Sequence, residues 1–188
     1  MNKVSKKELS YQVSNIDIMN KIMYPNKTKI ITYNKLAQVN DITELLPSRL
    51  CVCFILLREN ESNAHWTVVA RDASQIFYFD SYGVGIDGEM SNITEEERNI
   101  LGENVNYLSR LLHNTDLNVS WNNIEFQKYS KGNNIVNTCG KWCTVFANCV
   151  FSGLTLTQFQ DRIRTLSKQL KIPYDNLVCL VYDNEFSV

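Results

Sequence analysis

Histidine is scarce in this chain, with two residues in 188, His65 and His113. Any chemistry that needs an imidazole has to use one of them. Proline and glycine are scarce too, at 3 and 7 residues, and there is no internal repeat or low-complexity tract. That excludes a flexible interdomain linker and a repeat architecture, and predicts one domain over residues 1–188. Long apolar runs are missing. The longest, "CVCFILL", is too short to span a bilayer, and "MNKVSKKELSYQ" at the start holds no signal-like apolar core. Neither sign of charge dominates: Lys+Arg 19 against Asp+Glu 20 leaves −1, so no global field draws the chain onto nucleic acid or an anionic membrane. A phosphate-cradling glycine loop, a metalloprotease helix motif and paired metal-ligand motifs are also absent, so neither a cofactor nor a metal is expected.

The composition that remains, 44% hydrophobic and 21% charged, is that of a globular protein able to bury a core. Without export features the chain is expected in a reducing compartment and not secreted. Its six cysteines then read as thiols, not as a disulfide framework.

Ser14–Met23 reads as an amphipathic helix capped by Ser14 or Asn15 and ended by Pro25. A short strand or turn follows, then a helix capped near Asp41 and stopped by Pro47. Cys51–Leu57 is apolar on both faces, as a central strand would be. His65–Arg71 and Gln75–Asp80 flank the turn "DAS" and read as a hairpin. "SYGVGIDGEM" is a glycine-rich loop, and leucines 108, 111 and 112 have helical spacing. Strands are expected at Ile124–Tyr129 and Leu177–Asp183, and helices at Cys139–Phe151 and Thr157–Leu170. Together these predict an α+β fold, a central mixed sheet packed by helices.

Three of the six cysteines fall within "VNTCGKWCTVFANCVF". Cys139 stands at the start of the helix, after a polar loop, where free N–H groups and the helix dipole favour a thiolate. Gly140 beside it permits close approach of another backbone or a substrate. Cys143 and Cys149 have apolar neighbours and read as small core residues, as do Cys51, Cys53 and Cys179. Thioredoxin chemistry wants two residues between its cysteines, and three separate Cys139 from Cys143. His113 reads as a solvated helix-end residue. His65 opens a strand, and if Arg71 faces Ile76 across the hairpin, His65 lies opposite Tyr82 with Asp80 diagonal to it on the same face. The same register gives Val68 and Ala70 a core-facing patch with Phe79 and Phe77. Cys139, His65 and Asp80 thus form a Cys–His–Asp set by residue type.

"AHW" heading one strand, "FYFDSYG" ending the next and "NTCGKWC" opening a helix occur here in that order. Over roughly Leu50–Gly153 this resembles the adenain-like and Ulp1-like cysteine peptidases, especially the viral branch of virophages, Maverick-type elements and large DNA viruses. The resemblance implies a papain-like/adenain-like fold with the nucleophile at the N-terminus of the central helix. It divides the domain into an N-terminal helical part (1–49), a catalytic core (50–153) and a C-terminal helix and strand (154–188). By resemblance Cys139 is the nucleophile, His65 the general base and Asp80 its orienter. The family's oxyanion glutamine usually lies six or seven residues before the cysteine, where this chain has Asn133 and Gly132. Gln127, twelve residues before Cys139, is therefore assigned that role, with Asn133 or Asn134 as the fallback.

The implied activity is a viral maturation endopeptidase that cuts capsid or other virion precursors, often near small residues and frequently after glycine, in the virion or the infected-cell cytoplasm. The alternatives are a ubiquitin-like-protein deconjugase and a catalytically inert interaction domain. The expected partner is a protein substrate, with no metal and no membrane. Some adenovirus-type relatives use a nucleic acid or peptide activator, which nothing in a −1 chain demands.

Overall fold

The computed structural model describes residues 4–58, 63–131 and 135–184. Its strands are β1 (Thr28–Thr32), β2 (Cys51–Arg58), β3 (Ala64–Arg71), β4 (Gln75–Asp80) and β5 (Asn118–Trp121). Its helices are α1 (Lys6–Ser10), α2 (Asn15–Lys21), α3 (Glu95–Leu101), α4 (Tyr107–His113), α5 (Cys139–Phe151), α6 (Leu156–Leu170) and α7 (Tyr174–Asn184). The hairpin sets the frame. Arg71 pairs with Ile76, Ala70 with Phe77 and Val68 with Phe79, the expected register. β2 is antiparallel to β3, while β1 joins β2 and β5 joins β4 in parallel, giving a mixed sheet in the order β1-β2-β3-β4-β5.

Because side chains alternate along a strand, this register sorts the sheet into two faces. Trp66, Val68, Ala70, Phe77 and Phe79 turn toward α5, α6 and α7. Val69, Ile76 and Tyr78 turn toward a second core built with α4 and the 3₁₀ segment Tyr33–Gln38. On the α5 side the core is aromatic. Phe79 stacks on Phe146 at 4.7 Å, and Phe126 stacks on Trp142 at 5.0 Å. The expected α+β architecture, a mixed sheet packed by helices, is present.

Four elements differ from expectation. Leu177–Asp183 is not a strand but part of α7. A short apolar run suits either structure; here Leu177, Val178, Val181 and Tyr182 form a helical stripe packed into the α5-side core. Ile124–Tyr129 is irregular, although its alternation is strand-like. Its Phe126 and Gln127 amides both donate to Ser81 O at 2.9 Å, so they are spent on a turn, not on a ladder. The strand beside β4 is instead β5. After Asp41 there is only a 3₁₀ turn, Ile42–Glu44, closed by an Asp41–Glu44 capping box. The Ser14 cap stands as expected, but its helix ends at Lys21, four residues before Pro25.

Candidate active site

β3 begins and β4 ends at the same edge of the sheet, and α5 starts beside them. His65 Nε2 lies 3.1 Å from Asp80 Oδ2, with His65 2% exposed and Asp80 fully buried. Asp80 also accepts from the Tyr82 N–H at 2.6 Å and from the Tyr78 hydroxyl at 3.5 Å, which fixes the carboxylate. Burial opposes charge on the imidazole. The Asp80 charge and hydrogen bond outweigh it, and a hydrogen bond with Cys139 adds to them, so the pKa of His65 stands well above its ordinary value. With Nε2 on Asp80, Nδ1 is the ring nitrogen left for Cys139.

Cys139 is the first residue of α5, in the helical turn whose N–H groups have no carbonyl partner within the helix. A Cβ on Gly140 would come within 2.7 Å of the Val13 side chain and 3.1 Å of Trp66, so the residue after Cys139 has to be glycine for the N-terminal segment to pack there. That segment is tied down by bonds from the Asn137 amide to Leu9 O at 2.8 Å and from the Trp66 indole to Val13 O at 2.9 Å. Trp66 is thus both buried in the core and a wall of a pocket that reaches Cys139.

The turn "DSYG" builds much of the site. Gly83 adopts φ +75°, and its amide donates to Asp80 O at 3.1 Å. A Cβ there would stand 2.4 Å from the Ile124 carbonyl carbon. Glycine therefore lets residues 124–127 lie against the turn. Ser81 Oγ donates to Gln127 Oε1 at 2.9 Å. Tyr82 stacks on His65 at 4.7 Å and on Tyr129 at 4.0 Å. Its hydroxyl accepts from Gln127 Nε2 at 3.2 Å, while Val136 O accepts from the same nitrogen at 3.2 Å. Gln127 is buried and lines a 650 Å³ cleft together with His65 and Cys139. Asn133 and Asn134, the fallback for its role, lie outside the described residues.

Sequence reasoning missed three contributors. Tyr82 is signalled by the register, which puts it opposite His65. Glu89, buried in the cleft wall, accepts from the Tyr129 hydroxyl at 3.3 Å and from the Asn92 amide at 3.0 Å. Burial raises its carboxyl pKa against the pull of His65 and these bonds. Asp175 has no signal at all, since the segment after it reads as a strand. From the first turn of α7 it accepts from the Thr138 hydroxyl at 2.6 Å and the Lys128 N–H at 3.1 Å. It thereby links the residue before Cys139 to the residue after Gln127.

All six cysteines are free. Burial pushes the thiol of Cys53 up to about 12 and raises those of Cys143 and Cys179. Cys143 Sγ sits 3.2 Å from Trp66 O, inside the core. His113 is an exposed residue ending α4. Among the described residues no cluster of His, Cys, Asp or Glu is placed to hold a metal ion, and no helix is long and apolar enough to cross a membrane.

No protein-family model matches the chain. It is 29% identical over 181 residues to "Uncharacterized protein V9" of Sputnik virophage, covering 93% of this chain and 98% of that one. Among solved structures it is similar to the SUMO protease Ulp1 with its catalytic cysteine oxidised to a sulfinic acid, at 15% identity, 97% coverage of this chain, 83% of the other and a TM-score of 0.37. The sulfonic acid form gives 15% identity, 97% and 84% coverage and the same TM-score of 0.37. So low a score carries neither activity nor substrate across. What the comparisons add is a virophage protein alike along nearly its whole length.

Proposed function

We propose that this protein is a cysteine endopeptidase that trims capsid or other virion precursor proteins during maturation. One observation carries the reading: His65 is held by buried Asp80 and shares one cleft with Cys139, which helps to raise the imidazole pKa. A histidine placed so can take the thiol proton and keep it. The virophage relative supports the viral setting.

In the proposed reaction the Cys139 thiolate attacks the scissile carbonyl carbon. A C–S bond forms and the carbonyl electron pair moves onto oxygen. The Cys139 N–H and Gln127 Nε2 hold that oxyanion, the glutamine giving up one of its two 3.2 Å bonds. Collapse breaks the C–N bond as the His65 imidazolium protonates the leaving amine. Water, its proton taken by His65, then attacks the thioester and frees Cys139. Asp80 accepts the imidazole N–H throughout.

Co-expression with candidate capsid proteins, wild type against Cys139→Ala, tests this directly. New amino termini, read by mass spectrometry, are expected only with wild type. Iodoacetamide should label one thiol fast, and Cys139→Ala should remove that phase. Uniformly slow labelling of all six cysteines would sink the proposal. Release of a reporter from the C-terminus of a ubiquitin-like modifier, with capsid precursors left intact, would point to deconjugation instead.

A further inference from the structure

Beside the catalytic cleft lies a second groove of 730 Å³, larger than the cleft at 650 Å³. Thirteen residues line it, and four are lysines: Lys6, Lys7, Lys128 and Lys131. With 19 Lys+Arg in 188 residues, one or two basic residues would be expected there, so the concentration is local in a chain of net charge −1. Its two acids do little to offset it. Glu125 pairs with Lys128 at 3.1 Å, and Asp175 is buried with its oxygens held by Thr138 and the Lys128 N–H. Among the described residues, Lys6, Lys7 and Lys131 have no carboxylate within ion-pair distance.

Leu9, Val136 and Pro173 add apolar lining. Tyr129 and Ile135 border both the groove and the cleft that holds His65 and Cys139. They are 44% and 53% exposed, large apolar side chains left uncovered where the two spaces join. Building on the protease reading, we propose that this groove binds an acidic stretch of the protein substrate, with apolar side chains interleaved, adjoining the segment that enters the cleft. Carboxylates meet the lysines, and aliphatic side chains cover Tyr129, Ile135 and the other apolar lining residues. A nucleic acid could satisfy the lysines with phosphates and stack a base on Tyr129, but Leu9, Ile135, Val136 and Pro173 are aliphatic and suit apolar side chains, which favours peptide over nucleic acid.

The test is a binding measurement on the full chain, so it stands whether or not proteolysis is found. The probes are fluorescein-labelled ten-residue peptides of alternating glutamate and leucine, of glutamate alone, and of alternating lysine and leucine, with a single-stranded oligothymidylate as the other polyanion. Anisotropy should show the Glu/Leu peptide binding more tightly than the all-glutamate peptide, and the Lys/Leu peptide not binding. The triple variant Lys6→Gln/Lys7→Gln/Lys131→Gln should weaken Glu/Leu binding at least tenfold, and 0.5 M salt should do the same, since screening at that strength shortens the reach of surface charge to a few ångströms. The variant should keep the wild-type Cys139 alkylation rate. Ile135→Ser should weaken the Glu/Leu peptide and leave the all-glutamate peptide unchanged. Absence of binding, equal binding by the triple variant, or tighter binding of the oligonucleotide with loss in the same variant would each overturn the proposal.

Discussion

His65 and Asp80 are both buried, so the charge of one depends on the other. Asp80 holds the imidazole pKa well above 6.5. Asp80→Asn keeps the shape and an acceptor oxygen but removes the charge, so the pKa of His65 falls. The high-pH limb of the kcat/KM profile should then move to lower pH, because the imidazolium that protonates the leaving amine in the proposed reaction is lost sooner. The rate should drop by roughly 10²–10⁴, the usual worth of general acid–base catalysis. Stability follows the same sign. A histidine raised on folding stabilises fully below its unfolded pKa near 6.5 and loses that contribution as pH rises through the folded value. Melting temperatures of wild type and Asp80→Asn should therefore differ at pH 5.5 and converge at high pH; an unmoved pH limb would refute the coupling. Gln127→Ala addresses the other half of the site. It should cost about 10²–10³ in kcat if the amide holds the oxyanion, while Cys139 alkylation stays fast. Loss of both would mean that Gln127 only supports the fold.

The element that joins these residues is the turn after β4, and much of it is legible in the sequence. A short turn and a two-residue period fix the hairpin register, and that register alone sets Asp80 and Tyr82 against His65. Cys139 at the start of α5 is legible because a polar loop meets an apolar helix there. Residues 124–127 are not, since their alternation imitates a strand, and what decides their course is the backbone at Gly83 and the wedge of Phe126 against Trp142. α7 is misread because seven mostly apolar residues fit strand and helix alike, and with it goes Asp175. Two predictions belong here. Gly83→Ala forces a left-handed φ of +75° on alanine and a 2.4 Å approach to the Ile124 carbonyl carbon, so it should cost about 1–3 kcal/mol or more and displace Gln127. Urea denaturation and kcat measure the two effects. Asp175→Ala leaves the buried Thr138 hydroxyl without its partner and should cost about 1–3 kcal/mol. kcat should fall more than KM rises, with Asp175→Asn, which keeps an acceptor, losing less.

Over the whole molecule, the sheet carries a core on each face and the site lies at its end, so loosening either core loosens the site. Three carboxyls buried among these layers shift in one direction. Burial raises Glu89 and Asp175, and pushes Glu103 up to about 7 despite the Arg58 amide and charge that favour its ionised form. Glu103 is 1% exposed and accepts from the Arg58 N–H at 3.2 Å, but its Oε2 has no partner among the described residues. For each of these groups the folded protein binds more protons than the unfolded chain between the ordinary carboxylate range and the raised value. Stability must therefore fall as pH rises through that window, and His65 adds the same sign above pH 6.5. The melting temperature is expected to peak on the acid side of neutrality and to decline toward pH 8. Glu103→Gln supplies an acceptor for Arg58 and a neutral group where the second oxygen stood. Calorimetry should show it raising the melting temperature by about 2–6 °C at pH 8, and by little at pH 5 where the wild-type carboxyl is already largely protonated. A melting temperature that climbs from pH 5 to 8 and ignores the substitution would mean that Glu103 is reached by water and ionises as an ordinary surface carboxylate.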